Sequence, residues 1–88
     1  MNKKKYYIWQ LASFLASHDM KMSAEELAEH LNRNKFFTEY GDEYQGGRGT
    51  YTLIRETYNW INDILQLPEE ARKVATTYVK QDGTYAYD

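Results

Sequence analysis

The chain has 88 residues and a formal net charge of −2, and 42% of its residues are hydrophobic and 27% are charged. This length and composition are typical of a single folded domain over residues 1–88, and they argue against a disordered, collagenous or low-complexity chain. The lack of cysteine excludes disulfides, thiolate metal ligands and a thiol nucleophile. Because no apolar run is long enough for a signal peptide or a membrane span, we expect a soluble cytoplasmic protein with no membrane partner.

The charges are unevenly distributed along the chain. Residues 23–47 carry six acids against two basic residues, Arg33 and Lys35. Proteins that bind nucleic acid without sequence preference rely on an excess of Lys and Arg, because these side chains neutralise phosphates. Any nucleic-acid surface on this acidic chain must therefore be a local patch.

Two helices are predicted in the N-terminal part of the chain. Apolar side chains recur at steps of three and four residues over 3–18, which predicts the first helix. Ser23 followed by Glu26 is the pattern of a capping box, in which the hydroxyl and the carboxylate each accept a backbone N–H at a helix start. The second helix is therefore predicted over residues 24–33.

Residues 34–49 contain four glycines and show no sustained hydrophobic period. They predict an irregular loop, which three aromatic residues would anchor: Phe36, Phe37 and Tyr40. The Gly46-Gly47-Arg48-Gly49 run lacks the preceding strand and the lysine of a nucleotide-binding loop, so a flexible hinge is its ordinary interpretation. A phosphate contact through Arg48 is the alternative.

The C-terminal half is predicted to hold a third helix and a β-hairpin. A stripe of large apolar side chains predicts the helix over residues 50–65, and Pro68 ends the pattern. β-Branched and aromatic residues then dominate the chain, and Asp82-Gly83 is a dipeptide typical of a tight hairpin turn. A hairpin is therefore expected over residues 73–88, and the predicted fold class is α+β.

The segment from Met22 to Asn32 (Met-Ser-Ala-Glu-Glu-Leu-Ala-Glu-His-Leu-Asn) resembles the first helix of prokaryotic helix-turn-helix regulators. With its downstream helix and hairpin, the chain resembles a small three-helix winged helix-turn-helix domain. In such a domain, residues 50–65 would be the recognition helix and residues 73–88 the wing. The 34–49 loop is longer than the short turn usual in that family. The resemblance implies a small DNA-binding regulator or accessory module of bacterial or phage type.

If that role holds, the polar side of the third helix would contact DNA. Arg and Asn side chains make two-point hydrogen bonds with guanine and adenine edges, and flanking basic side chains bind phosphates. The implied DNA-binding residues are Arg48, Thr52, Arg55, Asn59, Asn62 and Lys80. Glu56 and Asp63 lie beside this stripe and would repel the phosphate backbone.

The alternative is a protein–protein interaction module on the same scaffold, without nucleic-acid binding. Its contact surface would be the acidic loop and the neighbouring tyrosines: Glu39, Asp42, Glu43, Tyr40 and Tyr44. The expected partner is double-stranded DNA in the first hypothesis and another protein in the second, and a homodimer is compatible with both. The sequence contains no nucleophile motif, metal-ligand pattern or cofactor motif, so neither an enzyme nor a cofactor is expected.

Overall fold

The computed structural model describes residues 2–87, and four helices make up most of that part of the chain. Its elements in chain order are α1 Lys3–Ser17, β1 Met22–Ser23, α2 Ala24–Arg33, α3 Arg48–Asn59, a π-helical turn Trp60–Ile64, α4 Pro68–Thr77 and β2 Tyr78–Val79. The π-helical turn continues α3 directly. None of the described helices is long and apolar enough to cross a membrane.

Both N-terminal helices lie where the sequence predicts them. α1 ends one residue before the predicted boundary, and α2 has the predicted limits. The capping box is formed, because the Ser23 hydroxyl accepts the Glu26 N–H at 3.1 Å and the Glu26 carboxylate accepts the Ser23 N–H at 3.3 Å. Two glutamates in the first turn add negative charge at the positive end of the helix dipole. Local interactions are therefore enough to fix the start of α2.

The third helix begins at Arg48, two residues before the predicted start. The Gly47 carbonyl accepts the N–H groups of Thr50 and Tyr51, both at 3.0 Å. Thr50 lies inside the first turn, where it is fully buried and its hydroxyl donates to the Gln45 carbonyl. This hydrogen bond ties the end of the preceding loop to the helix.

The predicted hairpin over residues 73–88 is wrong, because residues 68–77 form α4. Pro68 occupies the first turn, where its missing N–H breaks no hydrogen bond and its fixed φ suits a helix, and two glutamates follow it. The buried residues of α4 are Ala71, Val74, Ala75 and Thr77. Because this stripe packs against α1 and α3, burial outweighs the β propensity of the Val and Thr residues, which depends strongly on context.

Within the described residues, a short turn is what remains of the predicted wing. Gly83 has a φ of +87°, which glycine adopts without strain, and its N–H donates to the Lys80 carbonyl at 3.0 Å. Val79 and Tyr85 form one isolated antiparallel bridge. β2 pairs in parallel with β1 instead, so that Met22 lies beside Tyr78. The observed architecture is therefore α+β, with four helices and a two-stranded parallel sheet.

The core joins all four helices, and Tyr78 is the largest fully buried side chain among residues 2–87. Its hydroxyl donates to the Ile8 carbonyl in α1 at 2.7 Å. A polar contact between α1 and α4 is made by the Trp9 indole N–H, which donates to the Glu70 carboxylate at 3.0 Å. This hydrogen bond, with a further one from Lys73, lowers the pKa of the Glu70 carboxyl. The C-terminal helix is thus fixed against the N-terminal one by apolar and polar contacts.

Candidate functional site

The loop between α2 and α3 is irregular, as predicted, but its anchor is Tyr44. This residue is only 9% exposed, whereas the predicted anchors Phe37 and Tyr40 are 40% and 87% exposed. Phe36, the third predicted anchor, does pack against the core. The Asn32 side chain on α2 accepts the Tyr44 N–H at 2.7 Å and donates to the Tyr44 carbonyl at 2.9 Å. One amide side chain therefore pairs with the loop backbone much as a neighbouring strand would.

Lys4 holds the same loop from the side of α1. Its ammonium group donates to the Tyr44 hydroxyl at 2.6 Å and to the Phe37 carbonyl at 2.5 Å. It also lies 4.8 Å from the centroid of the Tyr44 ring, within the range of a cation–π interaction. A basic residue of the N-terminal lysine run thus serves the internal structure.

We expect Lys4→Met to loosen the loop while the four helices stay folded. Hydrogen bonds from charged donors contribute ~1.5–3 kcal/mol, and partial exposure lowers this value, so we expect a loss of about 1 kcal/mol. Amide hydrogen exchange at Tyr44, measured by NMR, should accelerate. Lys3→Met removes the same charge from an exposed position and serves as the control. Equal exchange rates in the two variants would contradict the role assigned to Lys4.

Gly46 allows the loop to lie directly on the first turn of α2. An added Cβ at this position would be 2.2 Å from the Cγ of Glu25 and 2.9 Å from its Cα. Contacts under 3 Å to backbone atoms cannot be relieved by a side-chain rotation, so the close approach requires glycine. Gly49, by contrast, has no atom within 4 Å of an added Cβ. The glycine run is therefore a packing site at Gly46, not a uniformly flexible hinge.

The loop and α3 enclose a groove with a volume of about 910 Å³, which we call the loop–α3 groove. Its walls contain every residue of the predicted protein-binding set and two of the predicted DNA-binding set. These seven residues are Glu39, Tyr40, Asp42, Glu43, Tyr44, Arg48 and Thr52. The volume lies in the range of ~300–1,000 Å³ that is typical of ligand pockets.

The loop–α3 groove is strongly acidic. Among the described residues that line it, four carboxylates (those of Glu39, Asp42, Glu43 and Glu56) face one guanidinium, that of Arg48. Tyr40 stands at its edge with a largely exposed ring. Carboxylates beside an exposed aromatic face form an environment that attracts cationic groups.

A second, smaller depression of about 620 Å³ lies on the other side of the loop segment 43–47. Its acidic residues are Glu25, Glu29 and Glu43, and no Lys or Arg among residues 2–87 lines it. Glu43 lines both depressions. Segment 43–47 is therefore a ridge with negative charge on both sides.

The structure separates the six predicted DNA-binding residues into several environments. Arg48, Thr52, Arg55 and Asn59 are all exposed along α3. Arg48 and Thr52 line the acidic groove described above. The Nε atom of Arg55 donates to the Tyr87 carbonyl at 3.0 Å, which holds the C-terminal segment against α3.

The last two members of that set lie off the stripe. Asn62 belongs to the π-helical turn, which holds more residues per turn than an α-helix and so rotates this side chain away from the line of Asn59. It donates to the Asp63 carboxylate at 2.9 Å. The Lys80 ammonium lies 5.3 Å from the centroid of the Tyr51 ring, at the base of a turn and not at the tip of a wing. The six residues do not form one continuous surface.

Neither a metal-binding cluster nor a known protein family assigns a function to the site. Within residues 2–87, no three His, Asp or Glu side chains lie close enough together to hold a metal ion. Comparison of the chain with protein-family models, with curated proteins and with solved structures finds no significant match. The functional argument therefore depends on the geometry of the molecule itself.

Sequence reasoning missed the residues that build the groove, namely Lys4, Asn32 and Gly46. Each acts over a long separation in the chain: Lys4 contacts a residue 40 positions away, and Asn32 one 12 positions away. The glycine run was a usable signal for Gly46, because glycine also marks sites of close backbone approach. No local signal identifies Lys4, whose neighbours in sequence are also lysines.

Proposed function

We propose that this chain is a protein-interaction module that binds a cationic segment of a partner protein in the loop–α3 groove. The observation that carries the proposal is the charge of this groove, in which four carboxylates of the described residues face one guanidinium. The groove is also large enough for several side chains, and the loop that forms its wall is held by Lys4, Asn32 and Gly46. A surface ordered in advance loses little conformational entropy when it binds.

Arginine fits this groove better than a neutral side chain. Its planar guanidinium can bond a carboxylate at two points and can stack on an aromatic ring. Asp42 and Glu43 offer carboxylates, and the exposed ring of Tyr40 offers a face. The negative charge on both sides of segment 43–47 should also raise the rate of association with a basic partner.

The test measures the binding of a short arginine- and glycine-containing peptide by isothermal calorimetry. The triple variant Glu39→Lys/Asp42→Lys/Glu43→Lys should weaken binding roughly tenfold or more, since several surface ion pairs of ~0.2–1 kcal/mol are lost together. Tyr40→Ala should weaken it about two- to fivefold, as expected for an exposed cation–π contact. Binding should also weaken with added salt.

The control for charge is Glu69→Lys, which reverses an exposed acid on α4 outside both depressions. It should leave the affinity for the peptide almost unchanged. A peptide in which glutamate replaces arginine should not bind. If Glu69→Lys lowered the affinity as much as the triple variant does, the groove would not be the binding site. The attraction would then be an effect of net charge alone.

Duplex DNA is the second candidate, and the exposure of Arg48, Thr52, Arg55 and Asn59 along α3 favours it. In this proposal α2 and α3 act as a helix-turn-helix pair without a wing. Random duplex DNA in ~50 mM salt provides the test, because phosphate contacts are strongest at low salt. Two results together would favour DNA over a protein partner. Duplex binding should weaken steeply with salt, and the free energy of binding to a preferred sequence should be less favourable by ~1–3 kcal/mol in Arg55→Ala. No detectable duplex binding would eliminate the DNA candidate.

A further inference from the structure

A separate cavity of about 420 Å³ lies between the C-terminal end of α3, its π-helical turn, α4 and the C-terminal segment. Three tyrosines line it, Tyr58, Tyr85 and Tyr87, together with Arg72 and Asn62. We call this cavity the tyrosine pocket. No Asp or Glu among residues 2–87 lines it, so its character is opposite to that of the loop–α3 groove.

The aromatic walls of the tyrosine pocket are held in place by other contacts. The rings of Tyr58 and Tyr87 pack with centroids 4.9 Å apart and planes tilted by 33°. The Arg55 guanidinium binds the Tyr87 carbonyl at 3.0 Å and so fixes the backbone behind that ring. Tyr85 is 40% exposed, and the Lys21 ammonium lies 5.6 Å from its ring centroid. The pocket therefore presents ordered π surfaces with one ring open to a ligand.

Arg72 is the basic residue that lines the tyrosine pocket. Within residues 2–87, the guanidinium of Arg72 has neither a hydrogen bond nor an ion pair, although its neighbour Lys73 pairs with Glu70 at 3.0 Å. Lys21 is close by, because its ammonium donates to the carbonyl of Thr76, which also lines the pocket, at 2.9 Å. A guanidinium with free donors is well suited to a phosphate group.

We propose that the tyrosine pocket binds a nucleotide unit, with its base stacked on the Tyr85 ring and its phosphate bound by Arg72 and Lys21. Stacking of a base on an aromatic side chain beside basic groups is the general mode by which proteins hold single nucleotides and single strands. The Asn62 side chain also lines the pocket; its amide donates to the Asp63 carboxylate through one N–H, and its other N–H and its oxygen can pair with a base edge. This amide favours a nucleotide over a phosphorylated tyrosine, whose ring has no polar edge. The proposal is independent of the loop–α3 groove.

The experiment titrates the ¹⁵N-labelled protein with adenosine monophosphate, adenosine, ribose 5-phosphate and a short oligothymidylate. Adenosine monophosphate should shift the signals of Tyr58, Asn62, Thr76 and Tyr85. Adenosine alone and ribose 5-phosphate alone should each bind at least about tenfold more weakly than adenosine monophosphate. An affinity for the oligothymidylate that exceeds that for the mononucleotide would identify a single strand as the source of the nucleotide. The reverse order would identify a free nucleotide.

Variants distinguish this site from a general attraction of anions. Arg72→Gln should weaken the binding of adenosine monophosphate about tenfold, as expected for loss of a charge-assisted hydrogen bond, whereas Lys73→Gln on the same helix should not. Tyr85→Leu keeps an apolar side chain and should weaken binding by a similar factor through loss of stacking, and its circular dichroism spectrum checks that it is folded. Tighter binding of O-phosphotyrosine than of adenosine monophosphate would overturn the assignment. Equal losses in Arg72→Gln and Lys73→Gln, or no shift with any of the four ligands, would also overturn it.

Discussion

Gly46→Ala is expected to destabilise the protein by ~1–3 kcal/mol, the usual cost of forcing extra volume into a packed region. The new Cβ would lie 2.9 Å from the Cα of Glu25, so either segment 43–47 or the first turn of α2 must move. Because this segment separates the two acidic depressions, the movement should also weaken the binding of the arginine peptide. Urea unfolding followed by circular dichroism measures the first effect and calorimetry the second.

The matched control is Gly49→Ala, three residues further along the same glycine run. Gly49 lies within the first turn of α3, and no atom is within 4 Å of an added Cβ. Alanine is the better helix former by ~0.5–1 kcal/mol, so this variant should be unchanged or more stable. A similar loss of stability in both variants would show that flexibility of the run matters and that close packing at Gly46 does not.

Tyr78→Ala is expected to have the largest effect on stability, ~3–5 kcal/mol, as found for the truncation of buried aromatic side chains. Tyr78 is fully buried in the core, and its hydroxyl binds α1 through the Ile8 carbonyl at 2.7 Å. A domain has a total stability of ~5–15 kcal/mol, so this variant should be close to unfolding at ordinary temperature. Tyr78→Phe keeps the ring and should lose ~0.5–1.5 kcal/mol for the hydrogen bond alone.

Tyr78 should also make the free energy of unfolding depend on pH in the alkaline range. Burial, and to a lesser extent the nearby Tyr7, raises the pKa of Tyr78 well above its usual value of about 10. In the unfolded chain the phenol loses its proton from about pH 10 upward, whereas in the folded protein it keeps the proton. The stability is therefore fully present below about pH 10 and falls above it, by up to ~1.4 kcal/mol per pH unit.

Urea unfolding at several pH values, carried out on wild type and Tyr78→Phe, measures this dependence. The other tyrosines and the lysines also titrate in this range, so the expected result is a difference between the two proteins. Phenylalanine cannot ionise, so the stability of Tyr78→Phe should fall less steeply above about pH 10 than that of wild type. Parallel curves would mean that Tyr78 ionises as readily in the folded protein as in the unfolded chain.

The first part of the fold was predictable because its signals are local. The Ser23–Glu26 capping box needs a separation of three residues, and it forms as predicted at the start of α2. The chain also turns at Asp82-Gly83, but not as the two-residue hairpin turn that was predicted. The Gly83 N–H donates to the Lys80 carbonyl, so Gln81 and Asp82 are the central residues, and Gly83 has a positive φ whereas Asp82 does not. Glu39, Asp42 and Glu43 line one groove, because residues so close in sequence stay close in space, and their role in binding a partner stays a prediction.

The C-terminal helix could not be predicted in this way, although Pro68 and the acids after it are a helix-start signal. The Val and Thr residues of 74–77 favour a strand in isolation, and their β propensity is a preference for a half-buried pleated surface. In the folded chain, Val74 and Ala75 face a core that α1 and α3 provide, where a helical stripe buries them better. The secondary structure of this segment thus depends on helices that are distant in sequence. Tyr78, directly after α4, adds a further contact with α1, because its hydroxyl donates to the carbonyl of Ile8, 70 positions away.

The sequence by itself determined the charge of the loop, the start of α2 and the absence of cysteine chemistry, since each follows from residue identity or from spacing within one helical turn. The tertiary structure decided which of those charges share a groove. Lys4, Asn32 and Gly46 position the loop through contacts with distant parts of the chain. The tertiary structure also separates Asn62 from the rest of the predicted DNA-binding stripe, because the π-helical turn changes the phase of the helix before this residue. Such contacts arise from packing between elements, and local spacing carries no information about them.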